Sequence, residues 1–148
     1  MKYFIYFSAT GNGDYIASLL EEKGYQLVKV EMAKPIKKVG FGFILRYGGE
    51  ASINKKAKIK DLSFELKEDD EVTIGTPLWN DRLSTPINTV LANYNFNKET
   101  TKFIFYLGGS SAKAAKKRLI KLGFKQEPLV IYQPLKNQEE TKKLLEKE

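Results

Sequence analysis

Apolar and polar positions along the chain fall into two kinds of block that alternate. Tyr3-Phe4-Ile5-Tyr6-Phe7 is an unbroken apolar run, which predicts a strand buried on both faces. A turn of small residues follows over 8–13. Tyr15-Ile16-Ala17-Ser18-Leu19-Leu20 then begins a helical run that ends near Lys23-Gly24. The same pairing recurs downstream. Residues 25–30 alternate and predict a second strand with Glu31 at its end. Residues 71–76 predict a third strand that Pro77 ends, and a polar loop covers 78–83. Ser84-Thr85-Pro86 opens a helix carrying Ile87, Val90, Leu91 and Tyr94 at helical spacing. Its proline falls near the first turn, where a missing N–H costs little. Residues 101–107 predict a fourth strand and 108–111 another small-residue turn. A lysine-coated helix over 112–122 is stopped by Gly123, a fifth strand covers 128–132, and 137–148 is a charged, fraying helix.

The stretch between the second and third strands fits neither kind of block. Lys34 begins a basic loop with Pro35. Residues 39–49 are apolar and glycine-rich, and read as a short helix or as a loop packed on the sheet edge. The cluster over 41–47 suits sheet-edge packing better than a cofactor wall. Strands alternating with helices predict a parallel sheet covered on both faces. Ligands of such sheets sit at the carboxyl ends of the strands, where strand order reverses. Three turns lie at such ends, over 8–13, 76–83 and 108–111. They converge on one crevice if the first, third and fourth strands are adjacent. There is no internal repeat or long linker, so 1–148 is expected to be a single domain.

Composition narrows the chemistry. The apolar share of 42% and charged share of 29% are ordinary for a globular chain. There is no Cys and no His. A thiolate nucleophile, a cysteine-ligated zinc and a Ser-His-Asp triad are therefore excluded, and no side chain titrates near neutrality unperturbed. No catalytic side chain and no metal site are assigned. Any redox chemistry must come from a bound organic cofactor. Met1-Lys2-Tyr3 leads straight into a strand, and no apolar run spans a bilayer. The expectation is a cytoplasmic protein without membrane insertion. The formal net charge is +7, with lysine clusters at 55–58 and 113–118. A solvated basic face is a better reading of these than a nucleic-acid site.

Chemistry concentrates in the first turn. A buried strand turning through small residues into a helix points backbone N–H groups and a helix N-terminus at one spot, which suits phosphate. Ser8, Thr10 and Asn12 add polar groups without bulk. The plainer role is a strand-to-helix turn with Thr10 or Asn12 as cap. Gly11 and Gly13 supply Gly-x-Gly, and Glu31 is spaced to hold a ribose, but the third glycine of a dinucleotide fingerprint is Ile16 here. No Gly-Lys-Ser/Thr follows, so a Walker loop fails as well.

Ser8-Ala9-Thr10-Gly11-Asn12-Gly13 resembles the phosphate loop of the flavodoxin family, usually Ser/Thr-x-Thr-Gly-Asn-Thr. Thr76-Pro77-Leu78-Trp79-Asn80-Asp81-Arg82-Leu83-Ser84-Thr85-Pro86 resembles that family's second flavin loop. Gly108-Gly109-Ser110 stands in the place of the third. The likeness spans nearly the whole chain in strand order and spacing. It implies an α/β, flavodoxin-like three-layer sandwich: a five-stranded parallel sheet in order 2-1-3-4-5 with helices on both faces. It implies FMN as cofactor. Ser8, Thr10, Gly11 and Asn12 hold its phosphate in a turn closed by Gly13. From Thr76 the second loop runs through Pro77, Leu78 and Trp79, which lie against one face of the ring. Asn80 and Asp81 face its N5 edge, and Leu107, Gly108, Gly109 and Ser110 approach its pyrimidine end. Asp81 serves equally well as a solvated turn carboxylate, and Ser110 and Ser111 as helix caps.

Two positions depart from the family. Gly13 replaces the last threonine, and the third loop carries no stacking aromatic; Tyr47 is a candidate replacement ring. Each loss costs roughly 1 kcal/mol, together about tenfold to a hundredfold in affinity. The resulting expectation is a one-electron carrier between a reductase and an acceptor. Its partners are redox proteins with acidic surfaces, with no nucleic acid involved, and the chain is a monomer or weak dimer. Positive charge predicts a second-electron potential less negative than in acidic relatives. The alternatives are a flavodoxin-like binding module without a redox role and an FMN-dependent NAD(P)H:quinone-type oxidoreductase.

Overall fold

Strand β1 (Lys2–Tyr6) lies between the edge strand β2 (Gln26–Lys29) and the central strand β3 (Glu71–Trp79). The computed structural model describes residues 1–34, 49–52, 54–109 and 111–148. Beyond β3 lie β5 (Lys102–Leu107) and β6 (Leu129–Tyr132), giving the order β2-β1-β3-β5-β6, all parallel. This is the order expected from the sequence, with one addition. A two-residue strand, β4 (Arg82–Leu83), folds back antiparallel on the end of β3. Strand order reverses between β1 and β3, so a crevice is expected at their carboxyl ends.

Side-chain alternation along each strand builds two cores, one on each face of the sheet. On one face Phe4, Tyr6, Ile104 and Tyr106 meet Ile16, Ala17 and Leu20 of α1 (Asn12–Glu22) and Leu145 of α5 (Gln138–Leu145). On the other, Ile5, Phe7, Ile74, Phe103 and Phe105 meet Ile87 and Val90 of α3 (Thr85–Asn93) and Ala115 and Leu119 of α4 (Lys113–Lys121). Ile16, the residue that broke the dinucleotide fingerprint, is fully buried between α1 and the sheet. Burying a side chain of this size contributes roughly 1.5–3 kcal/mol. The central strand tolerates no side chain at Gly75, because the Phe4 ring already fills the space a Cβ would need.

The structure corrects the expected ends of three elements. Strand β3 does not stop at Pro77 but continues to Trp79, with Pro77 opposite Tyr106 of β5. A proline is tolerated there because β1 has already ended: its last bond to β3 is from the Phe7 N–H to the Gly75 carbonyl, 3.2 Å. The expected polar loop over 78–83 is instead a tight hairpin. Leu78 pairs with Leu83 and Trp79 with Arg82, and Asn80 and Asp81 form the turn with φ of 51° and 64°. Two left-handed residues make the turn whose twist suits a two-residue hairpin, and Asn and Asp tolerate it better than most. Helix α5 is docked rather than frayed. Leu145 and Thr141 are buried, and the Lys23 ammonium donates to the Leu145 carbonyl.

Helix α3 starts as expected, with Ser84 as N-cap and Pro86 in the first turn. Between β2 and β3 the chain forms a short helix, α2 (Gly49–Ser52). It then runs antiparallel to the end of β2, where Met32 bridges Ile59 and the Lys60 N–H donates to the Glu31 carbonyl at 2.8 Å. The basic loop after Lys34, the 41–47 cluster and Tyr47 lie outside the described residues.

Candidate functional site

The first turn bends at Gly11, whose φ of 91° places it in the left-handed region as N-cap of α1. A residue without Cβ takes that conformation at no steric cost. The Tyr15 N–H closes the turn on the Gly11 carbonyl at 3.0 Å. Ser8 Oγ accepts the Asp14 N–H at 3.2 Å, and Asn12 Oδ1 accepts the Leu135 N–H at 3.1 Å. Both polar side chains are therefore occupied in shaping the turn. The N–H groups of Ala9, Thr10 and Gly11 donate to no acceptor among the described residues. They stand at the positive end of an eleven-residue helix, a ready receptor for an anion. Asp14, in the first turn of that helix, is paired with Lys29 at 2.7 Å.

Ala9, Thr10 and Asn12 form one side of a cleft of about 550 Å³. Pro77, Leu78 and Trp79 at the end of β3 form the second side, and Tyr106, Leu107, Gly108 and Gly109 at the end of β5 the third. Loops from three strands thus meet, as the sheet order requires, in a volume suited to a cofactor-sized ligand. Gly108 and Gly109 leave one face open, with no atom within 4 Å of where a Cβ would stand. Gln133 holds this loop in place. Its N–H donates to the Leu107 carbonyl and its Nε2 to the Gly108 carbonyl, both at 2.9 Å.

Not every expected site residue faces the cleft. Ser8 lies on the other side of the turn, beside a smaller cavity shared with Phe7, Glu31 and Lys60. Gly13 is buried behind the turn. Thr76 is fully buried and bonds Ser84 Oγ at 2.8 Å, which ties the hairpin to the start of α3. Trp79 lines the cleft but is only 7% exposed, with its ring edge-on to Phe7 at 5.6 Å between centroids. Asn80 is exposed at the hairpin tip. Asp81 turns away towards α4. Its Oδ1 accepts the Ser111 N–H at 2.9 Å and its carbonyl the Ala115 N–H at 3.1 Å. Ser111 Oγ accepts the Lys113 N–H at 3.0 Å, the cap-like role expected of it. Ser110 lies outside the described residues.

Tyr106 is the site residue that the sequence pattern did not single out. It reads as one more buried strand aromatic, yet it reaches the cleft and donates its hydroxyl to the Phe7 carbonyl beside the first turn. Full burial, with lesser contributions from Tyr6 and Asp14, pushes its pKa well above the usual tyrosine value. It therefore stays a neutral donor. A signal existed in the sequence: an aromatic near the end of one strand, and a glycine at position 13 where the resemblance leads one to expect threonine. Only the register shows that the two meet.

No family model matches the chain, and no curated protein matches it in sequence. Similar folds exist among solved structures. A candidate flavoprotein from Bacteroides uniformis ATCC 8492 superimposes with a TM-score of 0.74 at 23% identity, covering 96% of this chain and 95% of its own. A candidate flavoprotein from Bacteroides eggerthii DSM 20697 gives 0.69 at 23% identity over 97% and 94%. A flavoprotein in complex with FMN from Lactobacillus acidophilus NCFM gives 0.64 at 22% identity over 88% and 89%. The chain therefore shares the α/β fold of these proteins, a parallel sheet with helices on both sides. No helix among the described residues is long and apolar enough to cross a membrane.

Proposed function

We propose that the cleft binds FMN and that the chain is a flavodoxin-like one-electron carrier. One observation carries this reading: three N–H groups at the start of α1, with no acceptor among the described residues, stand beside a cleft lined by Ala9 and Thr10 and walled by the ends of β3 and β5. The residues present fit the group. The first turn offers backbone donors and a helix N-terminus to a phosphate, without a cationic side chain. Among the described residues Thr10 Oγ1 is hydrogen-bonded only to the Asn12 amide, at 3.4 Å, and can still reach a ligand. The open backbone of Gly108 and Gly109 and the edge formed by Pro77 and Leu78 leave room for a flat ring between them. Bound FMN supplies the electron chemistry that a chain without Cys or His lacks. The similar fold of a Lactobacillus acidophilus flavoprotein in complex with FMN supports the reading.

The chain's own residues bind and orient. The turn holds the phosphate end, Tyr106 braces the Phe7 carbonyl behind it, and Gln133 fixes the height of the third loop. Acidic protein surfaces are the natural partners for a chain of net charge +7. Comparing FMN with riboflavin tests the phosphate site directly. Two charge-assisted bonds contribute about 3 kcal/mol, so FMN should bind about a hundredfold more tightly. Titration followed by Trp79 fluorescence reads both affinities. Equal affinities would remove the phosphate site and the reading with it.

A second reading has its own support. Ser8 and Asn12 are engaged within the turn and Trp79 is nearly covered by the core. A binding module that keeps the anion receptor without a redox role fits these facts. A chain that binds inorganic phosphate but no flavin would establish it.

A further inference from the structure

The β3–β4 hairpin has two sides. Trp79 faces the cleft, while Asp81 and Arg82 border a separate groove of about 530 Å³ against α4. Arg82, Lys113, Lys117, Arg118 and Lys121 line this groove. Among the described residues its one carboxylate is that of Asp81, which already accepts the Ser111 N–H. Helix α4 carries Lys113, Lys116, Lys117, Arg118 and Lys121 and no acid. Only Lys116 has an ion pair among the described residues, with Glu127 at 2.9 Å. Lys113, Lys117 and Lys121 follow at four-residue spacing, so they form one row about 12 Å long. Lys113 also sits in the first turn, where the helix dipole opposes a cation. Arg118 also lines the groove, and its Nε is buried with no hydrogen-bond partner among the described residues.

We propose that this groove is the docking face for an acidic protein surface, one that presents a row of carboxylates to α4. The row needs several anionic groups spread along a helix rather than one compact charge, and the half-buried Arg118, which forms no ion pair among the described residues, adds a planar fork that suits a carboxylate. No aromatic side chain lines the groove among the described residues. A nucleotide or single-stranded nucleic acid would lack its stacking platform there. The groove shares the hairpin wall with the cleft, so a partner seated on it lies beside the proposed flavin. Its electron-transfer purpose rests on the FMN reading, but its chemistry does not.

Labelled deca-glutamate, followed by fluorescence anisotropy, is the probe. It should bind the intact chain at low salt and weaken by about tenfold between roughly 0.02 and 0.2 M salt. The K113E/K117E/K121E variant should lose binding about tenfold or more, whereas K142E/K143E/K147E on and beyond α5 keeps most of it. If charge reversal unfolds α4, K113Q/K117Q/K121Q replaces it, with a smaller loss in the same direction. Equal losses in both sets would reduce the effect to net charge and overturn the proposal. So would displacement of the peptide by inorganic tripolyphosphate or by a short DNA duplex that binds more tightly. FMN titration of the K113E/K117E/K121E variant should give an unchanged affinity. A chain that binds no FMN yet selects the peptide through α4 would sink the carrier reading and leave the docking face standing.

Discussion

A Cβ on Gly13 would stand 2.6 Å from the Tyr106 hydroxyl and 2.9 Å from Ser8 Cβ. Nothing larger than hydrogen fits there, because the phenol of Tyr106 and the Phe7 carbonyl it serves occupy the space. The volume that a side chain at position 13 would need is thus taken by a tyrosine from β5, two strands away from β1. Substituting G13A should overpack the site and destabilise the fold by about 1–3 kcal/mol. Y106F alone leaves the Phe7 carbonyl without its donor and should cost about 1–2 kcal/mol. The double variant should cost less than the sum, since removing the hydroxyl relieves the closest contact. Urea denaturation of the four proteins measures this coupling, and strictly additive losses would show that the two residues do not compete for one space.

The β3–β4 hairpin shows how one element serves two surfaces. Asp81 is its fastening, through the Ser111 and Ala115 N–H groups at the start of α4. D81A removes the side-chain acceptor and places alanine at a φ of 64°. It should lower stability by about 1–3 kcal/mol. D81N, which keeps an acceptor oxygen and tolerates the left-handed turn, should recover most of that in thermal melts. If D81A and D81N melt alike, the Ser111 bond contributes nothing. Much of the architecture was legible from the chain: apolar runs gave the five parallel strands, and Ser84-Thr85-Pro86 gave the start of α3. The hairpin was not legible, because Pro77 reads as a strand end unless one knows that β1 stops before it. The docking of α5 was hidden for a similar reason. Thr141, Leu144 and Leu145 form too narrow a stripe among charges to reveal their contact with the sheet. The three turns of the cleft could be read as motifs. Which side chains within them face the cleft, and that Tyr106 joins them, depended on register and burial.

Taken as a whole, the molecule sets a cleft without charged lining among the described residues on one side of the hairpin and a cationic groove on the other. Its core also carries an alkaline limit. Burial first, then Asp14 at 3.4 Å, pushes the Tyr6 phenol up to about 12, and Tyr106 lies well above the ordinary value. Folded pKa values raised above the unfolded value of about 10 contribute stability in full below that pH. That contribution is lost as pH climbs through the folded values. The melting temperature should therefore hold up to about pH 10 and fall steeply towards pH 12, alongside late phenolate absorbance from Tyr6, Tyr106 and Tyr25, the last also raised chiefly by burial, among the eight tyrosines. A single early titration of all eight in the folded protein would refute it. One further contact reaches across the chain: the Asn12 side chain receives the Leu135 N–H from 123 residues away. Residues 133–137 thereby act as a set-screw on the anion receptor. A change there that never touches the cleft, such as a proline at position 135 that deletes the N–H, would still loosen the turn to which the proposed phosphate site belongs.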